Sequence, residues 1–128
     1  MDMIKIEATE RSPRVELDFS SGIFLMSGES FPEDAAAFFG PLLESMQSWL
    51  ADTHETQVQF DLHMIYFNSS SAKALMNLFQ LLEDAARGGR PVTIRWHYES
   101  DDETMEEFGE DFSEDFEHAH FVLRVTEP

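Results

Sequence analysis

Five separate stretches of the chain alternate apolar and polar residues with period two, and an alternation of this kind can bury only one face. Ile4 and Ile6 alternate with Lys5 and Glu7; Val15, Leu17 and Phe19 with Glu16 and Asp18; Val58, Phe60, Leu62 and Met64 with Gln59, Asp61 and His63. Val92, Ile94 and Trp96 alternate with Thr93, Arg95 and His97, and Phe121, Leu123 and Val125 close the series with Arg124 and Thr126 among them. Successive side chains of a strand point to opposite faces, so these are strands of a sheet that is covered on one side and open on the other. Residues 23–26, Ile-Phe-Leu-Met, form a sixth and uniformly apolar strand behind the turn-forming Ser20-Ser21-Gly22, as the second arm of a hairpin.

Three segments with helical period separate the later strands. Ser30 with Glu33 reads as a capping box ahead of Ala35, Phe39, Leu42, Met46 and Trp49, and Gly40-Pro41 predicts an interruption and kink in that helix. The second helix follows Asn68-Ser69-Ser70-Ser71, carries Ala72, Leu75, Met76, Phe79 and Leu82 on one face, and stops at Gly88-Gly89 and Pro91. Ser100 with Glu103 reads as another capping box, before a narrow stripe of Met105, Phe108, Phe112 and Phe116. Strands that hide one face need all their helices on that face. The expected fold is therefore α/β of the α+β kind: a two-layer sandwich with a mixed five- to six-stranded sheet, an antiparallel first hairpin, and right-handed parallel crossovers through the helices. At 128 residues, without a linker, repeat or low-complexity tract, residues 1–128 are expected to form a single domain.

With 26 acidic and 8 basic residues the formal net charge is -18, which opposes binding to nucleic acid or to an anionic membrane and favours steering toward a basic partner surface. The chain has no cysteine, and it has neither an apolar leader nor a long apolar run, so a cytoplasmic protein is expected. His54, His63, His97, His118 and His120 do not form a recognised metal-ligand spacing. Neither a nucleophile elbow nor a glycine-rich phosphate loop is present, so no metal, cofactor or catalytic residue is assigned and an enzyme is not expected. Met64, Met76, Phe79 and Trp96 read as core. Residues 99–117 hold eleven Asp or Glu and no Lys or Arg. A solvated amphipathic helix explains them, a partner-binding face steered by charge is compatible with that reading, and the residue order does not match a calcium loop.

The stretch Tyr66-Phe67-Asn68-Ser69-Ser70-Ser71-Ala72-Lys73 places three hydroxyls between the end of a strand and the start of a helix. One serine, Ser70 or Ser71, is expected to cap the helix, and a phosphoryl group on another would meet free N–H groups at the positive end of the helix dipole. The competing reading is a small ligand- or anion-binding domain, or an enzyme, using a pocket at the helix N-terminus after Ser71.

A strand ending in an apolar pair, then Asn-Ser-Ser-Ser and an apolar helix, resembles the phosphorylation loop of STAS domains, the anti-sigma-factor antagonists, which carry Asp-Ser-Ser at that junction. Phe31-Pro32-Glu33, the stretch from Ile65 through Ser71, Leu81-Leu82-Glu83, Gly88-Gly89-Arg90-Pro91-Val92 and Arg95-Trp96-His97-Tyr98 resemble more closely the SiaC family of regulatory phosphoproteins. That resemblance implies a STAS-like signalling module, phosphorylated by a dedicated protein kinase, dephosphorylated by a PP2C-type phosphatase, and binding and activating a diguanylate cyclase when unphosphorylated. It carries the modified position onto Ser69, where the family typically has threonine, with Asn68, Ser70 and Ser71 completing the loop. Asn68 replaces the aspartate of ordinary STAS loops.

Overall fold

A computed structural model describes residues 3–52 and 56–126. Six strands form one sheet in chain order: β1 (Met3–Ile6), β2 (Arg14–Asp18), β3 (Ile23–Ser30), β4 (Val58–Phe67), β5 (Val92–Glu99) and β6 (His120–Thr126). The first three are antiparallel neighbours and β3 to β6 are parallel. The three parallel links pass through α1 (Ala35–Asp52), α2 (Ser69–Arg87) and α3 (Glu103–Ser113). This is the mixed two-layer architecture that the one-sided alternation demands.

Burial follows the alternation in β2 to β5, whereas in β6 Phe121 and Leu123 are only half-buried and Val125 is exposed. Val15, Leu17, Phe24, Met26, Val58, Phe60, Leu62, Met64, Val92, Ile94 and Trp96 are buried under the helices, whereas Gln59, Asp61, Thr93, Arg95 and His97 line the open face. From the helices come Phe39, Leu42, Met46 and Trp49 of α1, Leu75, Leu78, Phe79 and Leu82 of α2, and Met105 and Phe112 of α3. Met76 departs from expectation: it is 53% exposed, and Leu78 takes the inward position. The stripe of α2 that faces the sheet runs through 75, 78, 79, 82 and 86, which rotates position 76 to its edge.

The three helix starts also differ from the caps expected for them. Asp34, not Ser30, caps α1, its carboxylate accepting from the Ala37 amide at 3.0 Å. Ser30 is the last residue of β3, held in extended form by pairing with Phe67. Asp102, not Ser100, caps α3 through the Met105 amide at 3.1 Å. Asn68 caps α2. In each case the residue immediately before the first helical turn provides the cap, as its geometry requires. Pro41 does not interrupt α1, which runs unbroken from Ala35 to Asp52. The N–H that Pro41 lacks would have bonded the Ala37 carbonyl, and both residues lie on the exposed side, where water can serve that oxygen.

Trp96 is wholly buried and its indole N–H donates to the Met105 carbonyl at 2.9 Å, tying α3 to β5. Gly109 on α3 lies against that indole: a Cβ there would sit 2.5 Å from Cδ1. Beyond α3 the chain has no regular structure until β6, and Glu83 of α2 holds it in place. The buried carboxylate accepts from the amides of Glu117, His118 and Ala119 at 2.9–3.2 Å and lies 3.0 Å from the His118 Nδ1. Phe116, expected as the last residue of the α3 stripe, falls in this connection and packs on Phe79 and Phe121.

Gly109→Ala should destabilise the fold by about 1–2 kcal/mol in urea titrations, because overpacking against a fixed indole outweighs the helix-propensity gain. Glu83 gives a second prediction, on pH. Burial pushes its carboxyl up, but the Ala119 amide, the His118 ring and the amides of Glu117 and His118 outweigh this and hold it at about 2, against 4.5 for an ordinary glutamate. A depressed pKa stabilises the fold above the unfolded value, so this contribution is complete above about pH 5 and lost as pH falls from 4.5 toward 2. Glu83→Gln should cost on the order of 3 kcal/mol at neutral pH, and its stability should vary less than wild type between pH 4.5 and 2.

Candidate functional site

The strand that leads into the serine cluster changes phase just before it ends. Gly28 of β3 pairs with Met64 of β4, but the next residue, Glu29, pairs with Tyr66, leaving Ile65 as an extra residue in β4. Gly28 has φ +112°, a conformation that only glycine adopts without strain. Without the bulge, the alternation through Val58, Phe60, Leu62 and Met64 would carry Tyr66 inward. With it, Phe67 enters the core against Trp96 and Phe108, while Ile65 and Tyr66 face outward. Tyr66 lies edge-on to Phe31, with ring centres 5.9 Å apart.

The four polar residues after Phe67 have three kinds of placement. The Asn68 amide donates to the Ser30 carbonyl at 3.0 Å, and its side-chain oxygen accepts from the Ser71 amide at 2.9 Å, the N-cap bond of α2. Ser71 is fully buried and its hydroxyl is 2.7 Å from that of Ser30, also fully buried. Neither Ser70 nor Ser71 is therefore the cap: Asn68 is, because it alone has the extended backbone and acceptor that the position needs. Ser69 and Ser70 are exposed at the first two positions of α2. Ser69 is thus the first hydroxyl after the cap, open to solvent and beside the positive end of the helix. Lys73 follows one turn later on the same face.

Between α1 and α2, opening beside Ser70, runs a groove of about 530 Å³ whose floor is Phe39, Leu43 and Ala74. A second hollow, of about 310 Å³, lies between α2 and α3 at Met76, Phe79, Gln80 and Asp115. The open sheet face carries a polar network: Asp61 takes Arg95 at 3.1 Å, His97 at 2.9 Å and Gln59 at 3.1 Å, and His63 lies 3.5 Å from Glu99. His118 belongs to the Glu83 clamp, His120 is exposed on β6, and His54 lies outside the described residues. Among the described residues no group of three or more His, Cys, Asp or Glu is placed to hold a metal ion. No helix among them is long and apolar enough to cross a membrane.

Residues 6–126 match the family described as SiaC family regulatory phosphoprotein. The chain belongs to this family. An uncharacterized protein of Pseudomonas aeruginosa strain UCBPP-PA14 is 38% identical over 110 residues, which cover 86% of each chain. The crystal structure of apo-SiaC from Pseudomonas aeruginosa superposes with a TM-score of 0.85 at 33% identity, over 98% of this chain and 99% of that one. The crystal structure of the diguanylate cyclase SiaD in complex with its activator SiaC, from the same organism, matches with a TM-score of 0.87 at 35% identity and the same coverage. The family relationship therefore extends over nearly the whole chain, beyond the segments between Phe31 and Tyr98 that carry the resemblance in sequence.

Asn68→Ala should lower stability by about 1 kcal/mol, the usual value of an N-cap, whereas Asn68→Asp, which keeps an acceptor at the positive helix end, should stay within about 0.5 kcal/mol of wild type. Urea midpoints at unchanged slope measure both.

Proposed function

We propose that this chain is a phosphorylation-gated regulator that binds and activates a diguanylate cyclase when the Ser69 hydroxyl is free. The observation that carries the reading is the placement of the serines in a chain of this family: Ser71 is buried against Ser30 and Asn68 is occupied as the cap, which leaves Ser69 and Ser70 exposed at the first two positions of α2, and the family resemblance selects Ser69 of the two. A kinase needs an accessible hydroxyl, and Ser69 offers one without local unfolding. The complex of SiaD with SiaC, a relative 35% identical to this chain, supports the cyclase as the class of target. A protein kinase adds the phosphate and a PP2C-type phosphatase removes it, so the protein acts in the cytoplasm as a partner switch and not as an enzyme.

The physics of the junction suits such a gate. A phosphate brings a charge of about -1.5 to -2, and the N-terminus of α2 offsets part of it, typically by 0.3–1 kcal/mol per charge. The fold therefore tolerates the modification while the surface around Ser69, Tyr66 and Ser70 becomes strongly anionic. Ile65, Tyr66 and Phe31 give that surface an apolar component to bury against a target.

Calorimetry and cyclase assays with SiaD at fixed salt test the reading on wild type, Ser69→Ala, Ser69→Asp, and protein with phosphoserine installed at position 69 during translation. Wild type and Ser69→Ala should bind and activate equally. Ser69→Asp should bind at least tenfold more weakly, about 1.4 kcal/mol, and the phosphoprotein more weakly still. Equal affinity of all four forms overturns the gate, and absence of binding by wild type overturns the cyclase as target.

A further inference from the structure

The groove between α1 and α2 exists because the residues facing it are small. Ala35, Ala36 and Gly40 on α1 and Ala74 on α2 leave a channel over Phe39 and Leu43 that no side chain of the described chain fills. A Cβ built on Gly40 would meet nothing within 4 Å. The channel is lined from Asp34 to Leu43 on one wall and from Ser70 to Asn77 on the other. At 1.5 Å per residue these walls are about 12–15 Å long, some two to three helical turns. Beyond their first turns both walls are helices whose backbone groups are bonded within the helix, so an entering segment finds no strand edge to pair with and must satisfy its own backbone, as a helix does. Small residues on the walls let such a helix approach closely.

The rim is asymmetric in charge. At the α1 end stand Glu33, already bonded to Arg11 at 2.9 Å, and Asp34, which caps α1. At the α2 end stands Lys73, which forms no ion pair among the described residues. In a chain of net charge -18, an exposed lysine without an acidic partner at the mouth of an apolar groove is the anchor for a carboxylate from outside. Ser69 lies four residues before it, the spacing at which helical side chains of opposite charge pair.

We propose that the α1–α2 groove seats one amphipathic helix of the cyclase, its apolar ridge on Phe39, Leu43 and Ala74 and a carboxylate on Lys73, and that a phosphate on Ser69 draws Lys73 away from that carboxylate. The inference rests on the cyclase-binding reading above and adds the surface, the shape of the partner segment and the way the modification acts. Phosphate added beside the groove both repels the incoming carboxylate and captures the cation that would have received it.

The test uses the full chain against SiaD, by calorimetry. Ala36→Trp fills the groove from an exposed position in the first turn of α1, and Lys73→Ala removes the anchor; Gly40 is left alone because a Cβ before Pro41 is disfavoured in a helix. Each should bind at least tenfold more weakly with an unchanged melting temperature, while Met76→Ala, on the α2–α3 side, should bind as wild type. In the Lys73→Ala background the Ser69→Asp penalty should shrink at least threefold, a coupling that a merely structural lysine would not produce. Wild-type affinity for Ala36→Trp and Lys73→Ala, with Ser69→Asp still weakened, overturns the groove and leaves the gate standing. Additive effects of Lys73→Ala and Ser69→Asp overturn the capture of Lys73. A loss confined to Met76→Ala moves the target to the other side of α2 and overturns the proposal. If Ala36→Trp lowers the melting temperature, Lys73→Ala and the coupling decide alone.

Discussion

The covered face of the β3–β4–β5 sheet, with Trp96 at one side and the Phe24–Trp49 pair at the other, holds every other element in place. Trp96 meets Phe67, Phe79, Phe112 and Phe121 at ring separations of 5.4–6.4 Å, while Trp49 stands edge-on to Phe24 at 5.3 Å. Arg90 spans the base of the second cluster, its guanidinium 4.2 Å above Trp49 and its donors on the carbonyls of Thr56 and Leu50. Each helix is anchored to this layer by large side chains on one stripe, so their outer surfaces are free to be acidic, small or functional.

The serine junction depends on that layer through a short chain of causes. The bulge at Ile65 turns Phe67 into the core, and a seated Phe67 fixes where Asn68 can reach. Asn68 in turn orients the first turn of α2, and the buried Ser30–Ser71 contact locks that turn to the end of β3. A rigid frame thus presents Ser69, and a modification there changes surface charge more readily than it changes conformation.

The period-two alternation was enough to read the sheet, its buried face and its open face, because a strand that hides one side has only one register that fits. The three helices and their order were legible from their apolar stripes of helical period. Local detail was not. Ser30 and Ser100 satisfy the capping-box pattern Ser-x-x-Glu, which matches wherever it falls, and only the end of the preceding strand decides that Asp34 and Asp102 stand before the first turns. Met76 looked apolar enough for the core, but one face of α2 cannot hold both 76 and 78. Glu83 could have been found: it lies on the inward stripe of α2, between Phe79 and Ala86, where an unpaired carboxylate would be too costly to keep. The bulge leaves no periodic signal, since Ile65, Tyr66 and Phe67 are all apolar, and Ser69 stands out by resemblance more than by chemistry.

The Glu83 clamp has a bearing on solubility. β6 is the last strand of the sheet and pairs only with β5, and the irregular connection that delivers it is held by one carboxylate. Were that connection to loosen, β5 would become an edge, offering the unpaired backbone of a strand rich in Val, Ile, Trp and Tyr to any other copy of the chain. The surplus of negative charge then has a second use, since molecules that repel one another at a distance seldom bring two such edges together.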